Sequence, residues 1–307
     1  MTERVVTVIV THDRRDLLAE SLTAVQAQTR RPDLVLVVDN ASTDGTGDLV
    51  RERFPDIELV ALAENTGGAG GFAVGVARAL ERDADLIWLM DDDTVAEPGA
   101  LEALLEARRR IPGPPALVAS RVVWTDGREH PMNTPRIKPR ATREELARAT
   151  AARCVPIRSA SFVSILVEAQ AVRERGLPMA DYFLWNDDFE FTTRLLRDRE
   201  GVLCHDSVVT HKTRTFGDVE TDPGDRFYYE VRNKVWLFTR SPGLTPMERV
   251  LYGGSTARRW VRTFARSRDR TVLRDGFVRG MRAGLRERPR PTGELIARWT
   301  AGDESED

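Results

Sequence analysis

Lysine is nearly absent: Lys138, Lys212 and Lys234 are the only three, and arginine supplies the rest of 46 basic side chains. No glycine-rich stretch is therefore followed by the lysine that a phosphate-binding P-loop needs. Cysteine is equally scarce. Cys154 and Cys204 stand alone, without CxxC spacing, which excludes a disulfide framework and leaves two reduced core thiols. No apolar run approaches the length that spans a bilayer, and the run from Val5 to Val10 is too short for a signal-peptide core. The expectation is a cytoplasmic protein whose membrane contact, where it exists, is peripheral at the inner face of the cell membrane. A formal net charge of -2 gives no general attraction to nucleic acid, and none is expected as a partner.

What is present is a 307-residue chain, 41% hydrophobic, large enough for a substantial α/β core. Val5 to Val10 is a β-branched run ending at Thr11, followed by Leu17, Leu18, Leu22 and Val25 at helical spacing. The unit recurs. Leu34 to Val38 ends in Asp39-Asn40, Ile57 to Ala61 leads into the glycine-rich stretch Asn65 to Gly71, and a helix from Phe72 to Leu80 precedes the strand Leu86 to Met90. Strands apolar on both faces and alternating with helices predict a mostly parallel, Rossmann-like sheet covered on both sides. Ligands of such sheets bind beyond the carboxyl ends of the strands, so Thr11, Asp39 and Asp91 should converge on one crevice.

Farther on, a helix is expected around Leu101 to Arg109 and strands at Leu117 to Trp124 and Ser161 to Val167, with a polar, proline-bearing loop between the strands. From about Thr245 the pattern becomes helical and arginine-rich. The chain divides on this reading into residues 1–242, with a nucleotide-binding part to about 125 and an acceptor part from about 126, and a basic helical extension, 243–307.

Asp91-Asp92-Asp93 follows an apolar strand and places carboxylates at i and i+2, where two oxygens can share one hard cation. A departing diphosphate needs such a cation to neutralise its charge. Asp39 can accept hydrogen bonds from a base or ribose, and Asn65 to Phe72 offers backbone amides and close approach to a ligand. Trp185-Asn186-Asp187-Asp188-Phe189-Glu190 sets acids among aromatics, a setting that raises a carboxylate pKa and suits a general base. The same acids would also complement a helix N-terminus. His211 follows a short apolar run and can supply a third metal ligand.

In this order, Val10-Thr11-His12, Val38-Asp39-Asn40, the Asn65 segment, Asp91 to Asp93, Trp185 to Glu190, His211 and Arg232-Asn233 resemble the inverting family 2 glycosyltransferases of GT-A fold, over about Val5 to Phe238. Within them the chain is most similar to bacterial galactofuranosyltransferases and rhamnosyltransferases. The resemblance implies a UDP- or dTDP-sugar donor held by Thr11, Asp39, Asn65, Gly68, Asp91 and Asp92, and a metal held by Asp91, Asp93 and His211. It further implies Asp188 as base with Asp187 as its competitor, and Trp185 and Glu190 at a glycan or lipid-linked glycan acceptor of cell-envelope polysaccharide synthesis. An imidazole among carboxylates favours Mn²⁺, with Mg²⁺ as the alternative.

Two other classes compete. Asp91-Asp92-Asp93-Thr94-Val95 also fits the DxDx[TV] pattern of aspartyl phosphohydrolases, with Asp91 as nucleophile and Asp93 as acid, and a noncatalytic sugar-nucleotide binder would share the crevice. In the extension, Leu273, Phe277, Met281 and Leu285 recur at helical spacing among arginines. This face either packs on the catalytic part or lies on an anionic membrane.

Overall fold

The structure is a computed structural model that describes residues 3–213, 216 and 222–300. Its elements run β1 (Val5–Thr11), α1 (Arg15–Gln26), β2 (Leu34–Asp39), α2 (Thr46–Arg53), β3 (Glu58–Ala61), α3 (Gly67–Glu81), β4 (Leu86–Asp91), β5 (Thr94–Ala96) and α4 (Ala100–Arg110). There follow β6 (Leu117–Val123), β7 (Arg136–Ile137), α5 (Arg143–Ala151), β8 (Cys154–Ser159), β9 (Ser164–Glu168), α6 (Ala169–Arg175), α7 (Asp187–Leu195) and β10 (Gly201–His211). Four helices close the described chain: α8 (Phe227–Thr239), α9 (Pro246–Arg266), α10 (Arg270–Arg286) and α11 (Thr292–Thr300).

The strands form one sheet in the order β3-β2-β1-β4-β9-β6-β10-β8-β7, with β5 on the end of β10. Strands β3, β2, β1 and β4 are mutually parallel, as are β6 and β10. Between these groups β9 runs against both of its neighbours, so the parallel sheet read from the sequence is interrupted at its middle. Alternation along the strands sorts side chains into two layers. Val5 and Ile9 of β1, with Leu86, Trp88 and Met90 of β4, pack under α1, α2 and α4; Val6, Val8 and Val10, with Ile87 and Leu89, pack under α3, α6 and α7.

The glycine-rich stretch differs from its sequence reading, being the first turns of α3 rather than a lead into a helix at Phe72. The reason is packing. A Cβ at Gly71 or Gly75 would collide with Val10 or Val8, so these glycines let α3 lie directly on β1. The polar loop after β6 likewise holds β7, α5 and β8, and Thr142 with Glu145 forms a capping box that starts α5. The short run before His211 is the end of an 11-residue strand that bends at a bulge between Cys204 and Val208. Cys154 and Cys204 face each other across β8 and β10 as free, buried thiols.

In the extension, α10 lies along α8. Gly276, Gly280 and Gly284 make the approach close: a Cβ at Gly280 would sit 2.8 Å from the Val231 Cβ. Leu273, Phe277 and Met281 join Phe227 and Val231 there, whereas Leu285 stays exposed. Helix α11 returns to α3 through Leu295, Ile296 and Trp299, whose Nε1 donates to Glu64 at 2.8 Å.

Candidate functional site

Strand register sets the first half of the site. Thr11 pairs with Asp39 and Val10 with Asp91, so three adjacent parallel strands end level, at the carboxyl edge where such sheets bind ligands. Asp39 is buried and accepts from its own turn, the Ser42 amide, at 2.9 Å. Asn40 ties this edge to α3: its Nδ2 donates to Gly67 O, and its Oδ1 accepts from the amide and hydroxyl of Thr66. Asn65 is exposed and accepts from the Gly67 amide, and a Cβ at Gly68 would meet open space.

Asp91, Asp93 and His211 each offer a ligand atom, and the three atoms lie within 4.8 Å of one another. Their meeting follows from the antiparallel pairing of β5 with the end of β10, which pairs His211 with Thr94 and lets Lys212 N donate to Asp93 O at 2.8 Å. His211 Nε2 stands 2.8 Å from Asp93 Oδ1, while its Nδ1 is 2.9 Å from Asn133 Oδ1. Arg14 binds the other oxygen of Asp93 and lies 3.5 Å from Asp92. A cleft of about 700 Å³ opens beside Asp93 and Arg14, with Asp44 and Lys212 also on its wall.

Electrostatics follow from burial and sign. Burial and then the charge of Asp93 raise Asp91 to about 6, and burial raises Asp92 to about 7 against the opposing Arg14. Burial also acts to raise Asp93, but the His211 hydrogen bond and charge, with Arg14, outweigh it and lower its pKa. For His211, burial works downward, yet Asp93 and Asp91 carry the pKa above its ordinary value. Two carboxylates and an imidazole this close repel or strand a proton unless a cation joins them, so the donor set fits a divalent metal with mixed oxygen and nitrogen ligands.

The second half of the site is a strained loop. Phe183, Trp185 and Asn186 all have positive φ, a conformation that costs energy for residues with a Cβ and persists only where neighbours enforce it. Asn233 enforces it. Its Nδ2 donates to the carbonyls of Tyr182 (3.0 Å), Leu184 (2.8 Å) and Trp185 (2.9 Å), and Arg232 donates to the carbonyls of Asp181 and Tyr182. The Arg232-Asn233 pair, to which the sequence assigned no task, therefore shapes the loop that delivers Asp187 and Asp188. The Phe183 carbonyl accepts in turn from the Ala69 amide of α3, joining the two halves.

Asp187 is buried at the start of α7, and burial with the Asp188 charge holds its pKa well above the usual carboxylate range. Asp188 is raised by burial too, against the Phe189 amide at 2.6 Å and the charges of Lys234 and Arg136. The charge of Asp188 acts on Asp91 and helps to raise it, so the two acids lie near each other. Trp185 is partly exposed, with the Arg226 guanidinium 5.4 Å from its ring. Glu190 departs from expectation. It is 0% exposed and its carboxylate is held by Arg194 and by the Ser241 hydroxyl at 2.7 Å, so it anchors α7 internally and no acceptor can touch it. Sequence reading gave no role to Arg14, Asn133, Arg136 or Lys234. Arg14 alone carried a signal, three residues past the end of β1.

The family model described as glycosyl transferase family 2 matches residues 6–163. Galactofuranosyltransferase GlfT1 of Mycolicibacterium smegmatis is 32% identical over 307 residues, covering 94% of this chain and 98% of the relative. GlfT1 of Mycobacterium tuberculosis is 31% identical, covering 80% and 84%. The N-acetylglucosaminyl-diphospho-decaprenol L-rhamnosyltransferase of Mycobacterium tuberculosis is 34% identical but covers only 38% of this chain and 41% of its own length. Among solved structures, TarS of S. aureus in complex with UDP-GlcNAc superposes with a TM-score of 0.59 at 13% identity, covering 90% of this chain and 79% of that one, a likeness of fold.

Proposed function

The chain belongs to glycosyl transferase family 2 and is a glycosyltransferase, and from that premise we propose that it transfers galactofuranose from UDP-galactofuranose to a hydroxyl of a lipid-linked glycan. Family membership removes the phosphohydrolase and noncatalytic readings of Asp91 and Asp93. The choice of galactofuranose over rhamnose is supported by coverage: similarity to relatives named for the first spans nearly the whole chain, and to the one named for the second under half.

The reaction is a single displacement with inversion. The observation that carries it is that Asp188, a carboxylate of raised pKa, lies close enough to Asp91 of the Asp91–Asp93–His211 group for its charge to act there. Asp188 takes the proton of the acceptor hydroxyl as its oxygen bonds to the anomeric carbon and the bond from that carbon to the diphosphate oxygen breaks, releasing the nucleoside diphosphate. Asp187 backs this base: its own buried carboxyl resists ionisation. Asp91, Asp93 and His211 would hold Mn²⁺, which when bound neutralises the charge developing on the diphosphate. Arg14, joined to Asp93, adds a fixed positive charge on that side. Thr11, Asp39, Asn65 and Gly68 line the edge assigned to the nucleotide, and Trp185 the acceptor side. The basic extension is assigned peripheral membrane contact through α9.

Donor calorimetry with UDP-galactofuranose and dTDP-rhamnose, with and without Mn²⁺, tests this together with turnover. UDP-galactofuranose should bind with Mn²⁺ and lose affinity in Asp93→Ala. Asp188→Asn should keep donor affinity while turnover falls about 10²- to 10⁴-fold. Preference for dTDP-rhamnose would overturn the donor, and an active Asp188→Asn the base.

A further inference from the structure

Behind Asp188 lies a group of cations that the displacement does not use. Lys234 of α8 is only 6% exposed, and its ammonium stands 4.9 Å from the Phe189 ring centroid. Arg136 of β7 covers the other reach of this aromatic surface, 5.2 Å from Phe189 and 5.5 Å from Tyr252 of α9. Neither cationic head makes a hydrogen bond or an ion pair among the described residues. Arg259 is close enough to oppose the Lys234 charge, but it is itself paired with Glu230.

This arrangement is costly without a further anion. Burial, with the like charges of Arg259 and Arg136, brings the Lys234 pKa down to about 8 even though Glu230 and Asp188 pull it up. A buried ammonium that rests on an aromatic face and hydrogen-bonds no carboxylate has charge left for a ligand anion. Asp188 is one charge nearby, but as the base it becomes neutral on taking a proton and then no longer balances two cations.

From the geometry, and resting on the glycosyltransferase reading, we infer that Lys234 and Arg136 form a subsite for a phosphate group carried by the acceptor. Two unpaired cations attract the negative charge that a phosphate keeps when it joins a hydrocarbon chain to a glycan, and a guanidinium matches its oxygens in pairs. The strongest charge partners of Lys234 are Glu230, Arg259, Arg136 and Asp188, so the subsite belongs to the base and its acceptor rather than to the metal group that takes the donor. The elements that carry the subsite also expose apolar side chains, Ile137 of β7 by 53% and Leu251 of α9 by 63%, which suits a phosphate that carries a hydrocarbon chain.

The test is a calorimetric titration of the full, metal-free chain with decyl phosphate, inorganic phosphate and uncharged decyl glucoside. Decyl phosphate should bind the unaltered protein and lose about tenfold or more in affinity in Lys234→Met and in Arg136→Gln, with decyl glucoside unaffected. Arg136 is exposed on a two-residue strand, so its variant folds even where Lys234→Met does not. Failure of the wild type to bind decyl phosphate, or equal binding by Arg136→Gln, overturns the inference. Inorganic phosphate binding as tightly as decyl phosphate overturns the assignment to the acceptor. So does a matching loss of UDP affinity with Mn²⁺ in Arg136→Gln, which would give the cations to the donor. The titration needs no turnover: a chain that binds decyl phosphate through Lys234 yet transfers no sugar would sink the galactofuranosyl reading and leave the subsite standing.

Discussion

Asn133 Oδ1 sits 2.9 Å from His211 Nδ1, on the side of the ring opposite Asp93. An amide oxygen only accepts, so the contact keeps the proton on Nδ1 and turns Nε2 toward Asp93 and Asp91. Asn133 is itself placed by Nδ2, which donates to Ser161 at 3.2 Å. On the proposed metal reading, His211 would be a ligand and Asn133 the residue that fixes its tautomer. Asn133→Ala should weaken Mn²⁺ activation about 10- to 100-fold in metal concentration, while turnover at saturating Mn²⁺ recovers most of the wild-type value. A metal titration of activity reads both; unchanged metal demand would refute the role.

The acids at the end of β4 make stability depend on pH with a definite sign. Asp91 and Asp92 rise from 3.8 to about 6 and about 7, so the folded chain binds more protons than the unfolded one across that window. Their contribution is full below the unfolded value and is lost as pH climbs toward about 7. His211, also raised, acts in the same direction at higher pH, and Asp93, lowered, titrates beneath the window. The melting temperature of the metal-free protein should fall between about pH 5 and about pH 8, with a shallower slope in Asp92→Asn. Saturating Mn²⁺ should raise it more at the upper pH, where it competes with fewer protons. A flat metal-free profile would contradict the assignment.

Asn233 offers a near-isosteric test of loop positioning. Asn233→Asp keeps the size but replaces two N–H donors by an oxygen facing the carbonyls of Tyr182, Leu184 and Trp185. The loss of these bonds should destabilise the protein by about 2–4 kcal/mol and release the positive-φ loop. Because Asp188 rides on that loop, turnover should fall further than donor affinity. Denaturant melts and steady-state kinetics separate the effects; a stable variant with normal turnover would mean that the loop holds itself.

Much of this was legible in the chain, and what was not has physical causes. The carboxyl-edge convergence of Thr11, Asp39 and Asp91 follows from apolar strands that end in polar residues, a local pattern. The reversed strand β9 was not legible, because a strand buried on both faces has the same composition in either direction. Gly71 looked like part of a ligand loop because absence of a side chain serves close packing and ligand approach alike. Glu190 looked like an acceptor contact because its partners Arg194 and Ser241 meet it only through the fold. Asn133 and Lys234 are isolated in sequence and acquire meaning only beside His211 and Asp188.

The arginine-rich extension resolves into three described helices with different surroundings, α11 lying on α3, and this decides where a membrane would touch. Helix α10 is committed to α8 by its glycine face. Helix α9 begins at a capping box of Thr245 and Glu248 with Pro246 in its first turn, and it leaves Met247, Val250, Leu251 and Val261 exposed, Val250 by 75%. Their spacing of three, four and eleven residues puts them on one face, with Arg258 and Arg262 beside it, the pattern of a helix lying in an anionic interface. Flotation with vesicles rich in anionic lipid should recover the wild-type chain at low salt. Val250→Glu with Leu251→Glu should reduce recovery several-fold, since each change removes apolar area and adds a charge repelled by the surface. Neither residue lies in the core, so the melting temperature should hold. Binding that survives the double change would move the contact away from α9; binding that fails for wild type at low salt would end the peripheral-membrane assignment.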